Sequence, residues 1–384
     1  MNNLKLSKIV VNVSRINNFL IVLLPVLAML SILTWEYNLL LNVSLVLTLF
    51  ILLFIVFINI KQLRRIDILF LLLNFLSVLI TYISHSGLGV SLIFLNLFLC
   101  CMLFNTLSFS KKTIRRVHIL VVFLLFLYAF TSSASVRYNW VTFIDKNGTI
   151  INNNTVALLL VALFSHLSLF ILEQSQSTFR RFFCLILWGV CMYGTYILGC
   201  RSALMFFFIY IFLFLFKKTK FSSIKFKKYI TVFLLLSLLF PIIYLLIYYS
   251  VENFTLLGKS LFSGRQDVWK NAFEQIISYP IFGSGTDYSL NMVNGLTTES
   301  VHNMLLGTWK NLGIIPLITL ITYFVRKKRE NWNMYSQILI LSCIIIAFFE
   351  SFMMEARLYL FFALLLLGTK ETDTPDFLKK EKKT

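Results

Sequence analysis

Long apolar runs, separated by short polar or basic stretches, make up most of this chain. A helix needs about 20 apolar residues to cross the hydrocarbon core of a bilayer, and runs of this kind recur from end to end. They predict an all-α polytopic membrane domain over residues 1–384 with about twelve transmembrane helices, because the alternating pattern of a membrane β-barrel is absent. The predicted spans are 18–35, 39–59, 66–84, 88–107, 117–133, 155–173, 182–198, 202–216, 229–250, 302–325, 334–350 and 352–368.

The composition supports this interpretation. Hydrophobic residues make up 59% of the chain and charged residues 13%, with a mean hydropathy of +0.84, which excludes an ordinary soluble globular protein. The basic start and first apolar run resemble a secretory signal, but no small-residue cleavage site is evident, so we expect an uncleaved first span. The six cysteines lie in or at the ends of spans and predict neither a disulfide framework nor a metal site.

The formal net charge of +19 comes from Lys and Arg clusters on alternate connections. Because short loops rich in Lys and Arg stay cytoplasmic, we expect both termini inside and the protein in the cytoplasmic membrane. The positive charge is then a topology signal and does not indicate a nucleic-acid partner.

Two outer loops are long, roughly 134–154 and 251–301. The first is interpreted as a hairpin or an irregular, solvated connector.

The second loop, 251–301, contains an amphipathic pattern. Ser263 and Gln266 fit a capping box, and Pro280 ends the helical run. Its apolar positions are Trp269, Ala272, Phe273, Ile276 and Ile277. We expect a helix lying on the outer membrane surface, with Arg265 in its first turn, where backbone N–H groups favour an anion such as phosphate. The alternative is that Arg265 snorkels at the lipid headgroups.

Two further residues are candidates for chemistry. His302 falls at the outer start of the tenth span, where an imidazole can act as a base toward a hydroxyl or donate to a phosphate oxygen. The alternative is an interfacial histidine that merely caps a helix. Arg201 lies in a minimal outer turn and must reach the headgroup zone or a cavity.

Weaker candidates accompany them. The secondary substrate-binding candidates are Lys310, Arg357 and Glu355, although a mutual salt bridge is the simpler interpretation of Glu355 and Arg357. The remaining histidines are interpreted as structural: His85, His118 and His166.

In combination, five motifs resemble the O-antigen ligase and polymerase superfamily. These are Arg201-Ser202-Ala203 before a span, the Ser-Gly-Arg-(x)3-Trp pattern of 263–269, the Pro-Ile-Phe-Gly-Ser-Gly stretch of 280–285, His302-Asn303, and Gly313-Ile314-Ile315. Each motif alone is weak, but their order and their position around a late outer loop are moderately specific.

The resemblance implies a membrane glycosyltransferase of the C type. It would transfer sugar from a polyprenyl (undecaprenyl) diphosphate carrier on the outer face of the membrane. By motif match, Arg201 and Arg265 would bind the diphosphate and His302 would lie near the acceptor. The expected function is polymerisation of lipid-linked repeat units into capsular or O-antigen-type polysaccharide, favoured over ligase-type transfer because the outer loop is short. A chain-length regulator and a flippase are the expected partners.

The chemistry of the residues agrees with that expectation. Transfer from a diphosphate needs cations for the departing phosphate and a base for the attacking hydroxyl. No paired carboxylate motif favours a retaining route, so inversion is predicted. No Asp-rich motif suggests a divalent cation, so we expect no metal and no cofactor. The competing class is a lipid-linked oligosaccharide flippase, although the spans are almost free of charge and show no internal repeat.

Overall fold

The computed structural model describes most of the chain as a bundle of helices. The residues described are 2–34, 37–85, 87–131, 133–137, 140–144, 150–174, 178–216, 223–251, 255–256, 259–260, 265–286, 290–291, 297–298, 301–325, 334–350 and 355–367. Their α-helices are α1 (Asn2–Leu33), α2 (Asn38–Ile58), α3 (Arg65–Ser84), α4 (Leu88–Thr106), α5 (Lys111–Thr131), α6 (Asn153–Gln174), α7 (Thr178–Ile197), α8 (Arg201–Phe216), α9 (Ser223–Val251), α10 (Arg265–Ser278), α11 (Met304–Leu312), α12 (Ile314–Val325), α13 (Met334–Ile346) and α14 (Tyr359–Leu365).

Short strands occupy the two long connections. Antiparallel β1 (Ser133–Arg137), β2 (Trp140–Ile144) and β3 (Ile150–Ile151) form one small sheet, with Arg137 opposite Trp140 at its tight end. Two-residue strands pair in the later connection: β4 (Thr255–Leu256) with β5 (Lys259–Ser260), and β6 (Leu290–Asn291) with β7 (Thr297–Thr298). Of the two interpretations of the first loop, the described strands support the hairpin over the irregular connector, and the described elements outside these two connections are helical.

Six described helices are long and apolar enough to cross a membrane. They cover Val13–Leu33, Leu39–Ile58, Arg65–Ser84, Leu88–Thr106, Asn153–Leu172 and Lys225–Leu246. Shorter apolar helices add Arg201–Phe216, Ile314–Val325 and Met334–Ile346. These helices support a multi-pass membrane protein, while the full count of twelve spans and the orientation of the termini stay predictions.

The late spans differ from the sequence-based expectation. The predicted span 302–325 is two helices, α11 and α12, separated at Gly313, whose φ of 87° cannot continue a helix. The predicted spans 334–350 and 352–368 are also shorter: α13 ends at Ile346, and α14 has seven residues. Continuous hydropathy conceals these interruptions because glycine and turn residues between apolar neighbours barely change a window average.

Polar side chains inside the bundle bond to neighbouring helices. Asn96, in the buried helix α4, donates to the Leu45 carbonyl at 3.0 Å and to the Tyr359 hydroxyl at 3.2 Å. The His118 and His166 rings join α5 to α6 through an Nδ1 to Nδ1 hydrogen bond of 2.7 Å. Such contacts fix helix positions where lipid offers no polar partner, which fits the structural role expected for these two histidines.

The turn at 280–285 packs directly against the break between α11 and α12. The Ser284 N–H donates to the Lys310 carbonyl at 2.7 Å, and the Ile314 N–H donates to the Pro280 carbonyl at 3.0 Å. The two backbones lie so close that a Cβ on Gly283 or on Gly313 would overlap main-chain atoms of the other segment. This contact, here called the glycine clamp, fixes the C-terminal end of α10 against α11.

Helix α10 is anchored by its apolar face. Trp269 is fully buried, and its indole Nε1 donates to the Val301 carbonyl at 2.9 Å, immediately before His302. The buried positions of the helix are Val268, Trp269, Ala272 and Ile276. These four side chains therefore pack on protein, in α9, β6 and α11, whereas Ile277, another apolar position of the predicted pattern, is 78% exposed. The placement of the helix on the outer membrane surface stays a prediction. The predicted capping residue Ser263 lies outside the described residues.

We predict that Gly313→Ala lowers the free energy of unfolding by about 2 kcal/mol or more, because the added methyl group overlaps the Ile281 carbonyl at a positive φ. Thermal unfolding of the detergent-solubilised protein measures the effect. Gly189→Ala, inside α7, is the matched control: a Cβ at Gly189 meets no atom within 4 Å, so the free energy of unfolding should stay unchanged or rise by up to about 1 kcal/mol from the helix propensity of alanine. Equal unfolding temperatures for the two variants would rule out the clamp as a structural requirement.

Candidate functional site

Three candidate residues from the sequence and one further carboxylate lie close together. All four are at helix ends that meet at one end of the bundle. Arg201 is the first residue of α8, and Arg265 is the first residue of α10. His302 directly precedes the N-cap of α11, and Glu350 follows the turn that ends α13. The three residues predicted from the motifs are thus gathered around a carboxylate that the sequence analysis did not select.

Glu350 is the centre of this group. Arg265 Nη2 donates to Glu350 Oε1 at 3.0 Å, and Ser202 Oγ donates to the same oxygen at 3.3 Å. His302 Nδ1 lies 3.4 Å from Glu350 Oε2. The Glu350 side chain is only 9% exposed, against 12% for Arg265 and 25% for His302. One nearly buried carboxylate therefore connects α8, α10 and the start of α11.

Asn303 fixes the backbone segments that carry His302 and Glu350 next to each other. As the N-cap of α11, its Oδ1 accepts from the Leu306 N–H at 2.9 Å. Its Nδ2 donates to the Phe348 carbonyl at 3.3 Å, two residues before Glu350. The Met304 N–H also donates to the Ala347 carbonyl at 3.1 Å. The start of α11 and the end of α13 are therefore joined by main-chain and side-chain bonds.

His302 has an unusual backbone conformation. Its φ is 53°, and it is the one non-glycine residue at positive φ in the described part of the chain. This left-handed conformation is sterically costly for most side chains and is commonest in glycine and asparagine. Strain of this kind concentrates at functional sites, where the surrounding structure holds it in place. Here the buried Trp269 contact on one side and the Asn303 cap on the other supply that support.

The electrostatics favour an anion beside this carboxylate. Burial would raise the pKa of Glu350, but the hydrogen bond from His302 and the charge of Arg265 bring that pKa below its ordinary value. The carboxylate is therefore charged at neutral pH. The guanidinium of Arg201 interacts electrostatically with both Arg265 and Glu350. Two guanidinium charges around a single carboxylate give the group a net positive charge before His302 is protonated.

A second ion pair adjoins the first. Arg357 Nη2 lies 2.7 Å from Glu355 Oε1, and Thr155 Oγ1 donates to the same oxygen at 3.2 Å. This is the mutual salt bridge that the sequence offered as the simpler interpretation of these residues. Burial raises the pKa of Glu355, and the neighbouring charge of Glu350 raises it as well, which indicates that the two carboxylates are close.

Lys310 is not brought into this group. It lies eight residues beyond His302, about 12 Å along a helix axis. Its buried ammonium donates to the Gly285 carbonyl at 3.0 Å, so it strengthens the glycine clamp. Cys200 does adjoin the group, with its Sγ 3.3 Å from Ser202 Oγ. Burial raises the pKa of this thiol to about 11, which keeps it protonated and poorly nucleophilic.

Glu350 is the residue that the sequence reasoning missed. Its signal was present: Glu350 and Glu355 are carboxylates at the outer ends of the last two predicted spans, and an ionisable residue in such a position is a functional candidate by default. In the described part of the chain, no group of three or more His, Cys, Asp or Glu side chains is arranged to hold a metal ion. Metal independence stays a prediction.

Comparison with known proteins finds a match for the segment that contains three of these four residues. A family model described as O-antigen ligase matches residues 182–321, which include Arg201, Arg265 and His302, while Glu350 lies beyond the match. Searches of curated proteins and of solved structures give no match. The apolar helices indicate a multi-pass membrane protein, and its segment 182–321 is similar to the O-antigen ligase family. The resemblance of this chain to the O-antigen ligase and polymerase superfamily is thereby confirmed, with residues 182–321 as the matching segment.

Proposed function

We propose that this protein polymerises polyprenyl-diphosphate-linked oligosaccharide repeat units into surface polysaccharide on the outer face of the cytoplasmic membrane. The observation that carries the proposal is the convergence of Arg201, Arg265 and His302 on Glu350. Cations for a leaving diphosphate and a base for an attacking hydroxyl are the groups that this reaction needs.

The donor would bind through its diphosphate. Arg265 and Arg201 supply planar guanidinium groups, which hold phosphate oxygens through paired N–H donors. Both arginines are also the first residues of their helices, where unpaired backbone N–H groups add partial positive charge. The polyprenyl chain would then extend into lipid beside the apolar helices, while the sugar faces His302.

The transfer would be a single displacement. The acceptor hydroxyl oxygen attacks the anomeric carbon, its proton passes to His302, and the bond from the anomeric carbon to the diphosphate oxygen breaks. The bonding electrons leave with the diphosphate, whose growing charge Arg201 and Arg265 stabilise. Attack opposite the leaving group inverts the anomeric centre. No covalent sugar intermediate and no metal ion enters this scheme.

The acceptor distinguishes the two family activities. A polymerase extends a second lipid-linked chain, whereas a ligase transfers glycan to a different acceptor. The short outer loop supports the polymerase, and the description of the matching family as O-antigen ligase keeps the ligase as the second candidate. Analysis of the product from purified protein and lipid-linked repeat units separates them, because only a polymerase lengthens glycan while it stays on the polyprenyl carrier.

We predict that Arg265→Lys lowers the rate of glycan transfer by about tenfold or more, because lysine keeps the charge beside Glu350 but loses the paired N–H donors. Glycan length in cells and the initial rate in proteoliposomes are the measurements. Arg116→Lys, at an exposed position near the start of α5, is the matched control and should behave as the wild type. Normal chain length in the Arg265 variant would contradict the proposed role.

We predict that His302→Asn lowers the rate by about a hundredfold or more, because the base is lost. Asparagine is chosen because it tolerates the positive φ of residue 302 better than alanine does. Folding is therefore expected to be retained, as checked by thermal unfolding and by the amount of membrane-inserted protein. A stable variant with wild-type turnover would exclude His302 as the base.

The location of the accumulated substrate distinguishes an enzyme from a flippase. In cells with either inactive variant, single repeat units are expected to accumulate on lipid in the outer leaflet, since flipping precedes polymerisation. Labelling with a membrane-impermeant reagent measures this distribution. Units retained in the inner leaflet would instead identify a transport defect.

A further inference from the structure

The guanidinium that the donor needs already has an anionic partner. Glu350 Oε1 accepts from Arg265 at 3.0 Å and from Ser202 at 3.3 Å, whereas Oε2 is held by His302 at the longer distance of 3.4 Å. A diphosphate cannot engage Arg265 fully while this ion pair is intact. The carboxylate thus occupies part of the position that the proposed function assigns to the substrate.

We infer that Glu350 is a positioning residue that occupies the anion site in the absence of donor, releases Arg265 to the incoming diphosphate, and then orients His302 as the base. This inference rests on the proposed function. It adds a coupling between the arginines that bind the diphosphate and the histidine that acts as the base. Binding of the donor orients His302 to receive the proton of the acceptor.

The arrangement of bonds supports such an exchange. The main chain around Glu350 stays fixed, since its N–H donates to the Ile346 carbonyl at 2.9 Å and Asn303 bonds the preceding Phe348 carbonyl. Only the carboxylate has to adjust when Arg265 turns to a phosphate. Repulsion by the phosphate charge moves the carboxylate away from the donor, and the His302 Nδ1 that already contacts its other oxygen holds it there.

The histidine contact also selects a tautomer. A charged carboxylate only accepts hydrogen bonds, so the Nδ1 facing Glu350 carries the hydrogen and the basic lone pair resides on Nε2. A carboxylate on Nδ1 fixes the orientation of the ring and lies beside the positive charge that forms when the acceptor proton arrives. The other charged or titratable groups gathered from the neighbouring elements are Arg201 from α8, Arg265 from α10, Glu355 before α14, and Cys200 before α8.

Glu350→Gln in the full-length protein in lipid nanodiscs tests the inference. Glutamine keeps the shape but removes the charge that competes for Arg265, so farnesyl diphosphate, used as the binding probe, should bind about three- to tenfold more tightly. Transfer between lipid-linked repeat units should fall about tenfold or more, because His302 loses its carboxylate. Tighter binding with slower turnover is an outcome that a purely structural role would not produce.

Two companion variants complete the test. In Arg265→Lys/Glu350→Gln, the gain in probe affinity should shrink, because the guanidinium that it depends on is absent. Glu350→Asp keeps the charge and should therefore bind the probe no more tightly than the wild type. If Glu350→Gln weakens probe binding and turnover together in a stably folded protein, the inference is wrong. If that variant does not fold, Glu350→Asp replaces it: a folded protein that keeps turnover and binds the probe as the wild type does would support the inference, and loss of both would overturn it.

The proposed function fails in a different way. A wild-type protein that neither binds farnesyl diphosphate nor lengthens lipid-linked glycan would exclude the proposed polymerisation. A wild-type protein that does both, combined with an unchanged affinity in Glu350→Gln, would exclude only the exchange at Glu350.

Discussion

The glycine clamp is the contact on which the positions of the other functional elements depend. Gly283 and Gly313 allow two main chains to approach without side chains between them, so the segment after α10 bonds directly to the break between α11 and α12. Such an approach leaves little freedom for sliding, because several N–H and carbonyl groups must pair at once. With the far ends of both helices fixed, the buried indole of Trp269 aligns their near ends.

The opposite ends of the same helices present a different physical problem. Several charged side chains lie within a group that is mostly buried, and each charge removed from water needs a partner. Glu350 supplies that partner, because its carboxylate accepts hydrogen bonds from three side chains on different elements. The same compensation leaves the group cationic overall, so stability in the empty protein and affinity for an anionic substrate arise from one set of contacts.

The sequence predicts some parts of this structure well because their signals are local. The helical spacing from Trp269 to Ile277 predicts α10, and its end at Pro280 is close to the observed end at Ser278. The motifs also predict that Arg201, Arg265 and His302 belong together, although 101 residues separate the first from the last in the chain. Contacts between segments that are distant in the chain are harder to predict, because sequence patterns carry no signal for them. Nothing in hydropathy shows that Gly313 divides a span, that Trp269 and its buried neighbours in α10 pack on protein, or that Lys310 bonds to a turn. The sequence does not identify Glu350 as a site residue because its partners come together only in the tertiary structure.

The position of Glu350 in the chain has a consequence for biosynthesis. Its contact with His302 spans 48 residues, and its contact with Arg265 spans 85. The ribosome therefore makes both arginines and the histidine before the carboxylate, and α13 must insert before Glu350 can reach them. Until then, Arg265 and His302 lack the contacts that Glu350 makes with them in the folded protein. The carboxylate therefore joins this charged group only after its cations have been made, so that completion of the site is a later step of maturation than synthesis of the arginines and the histidine.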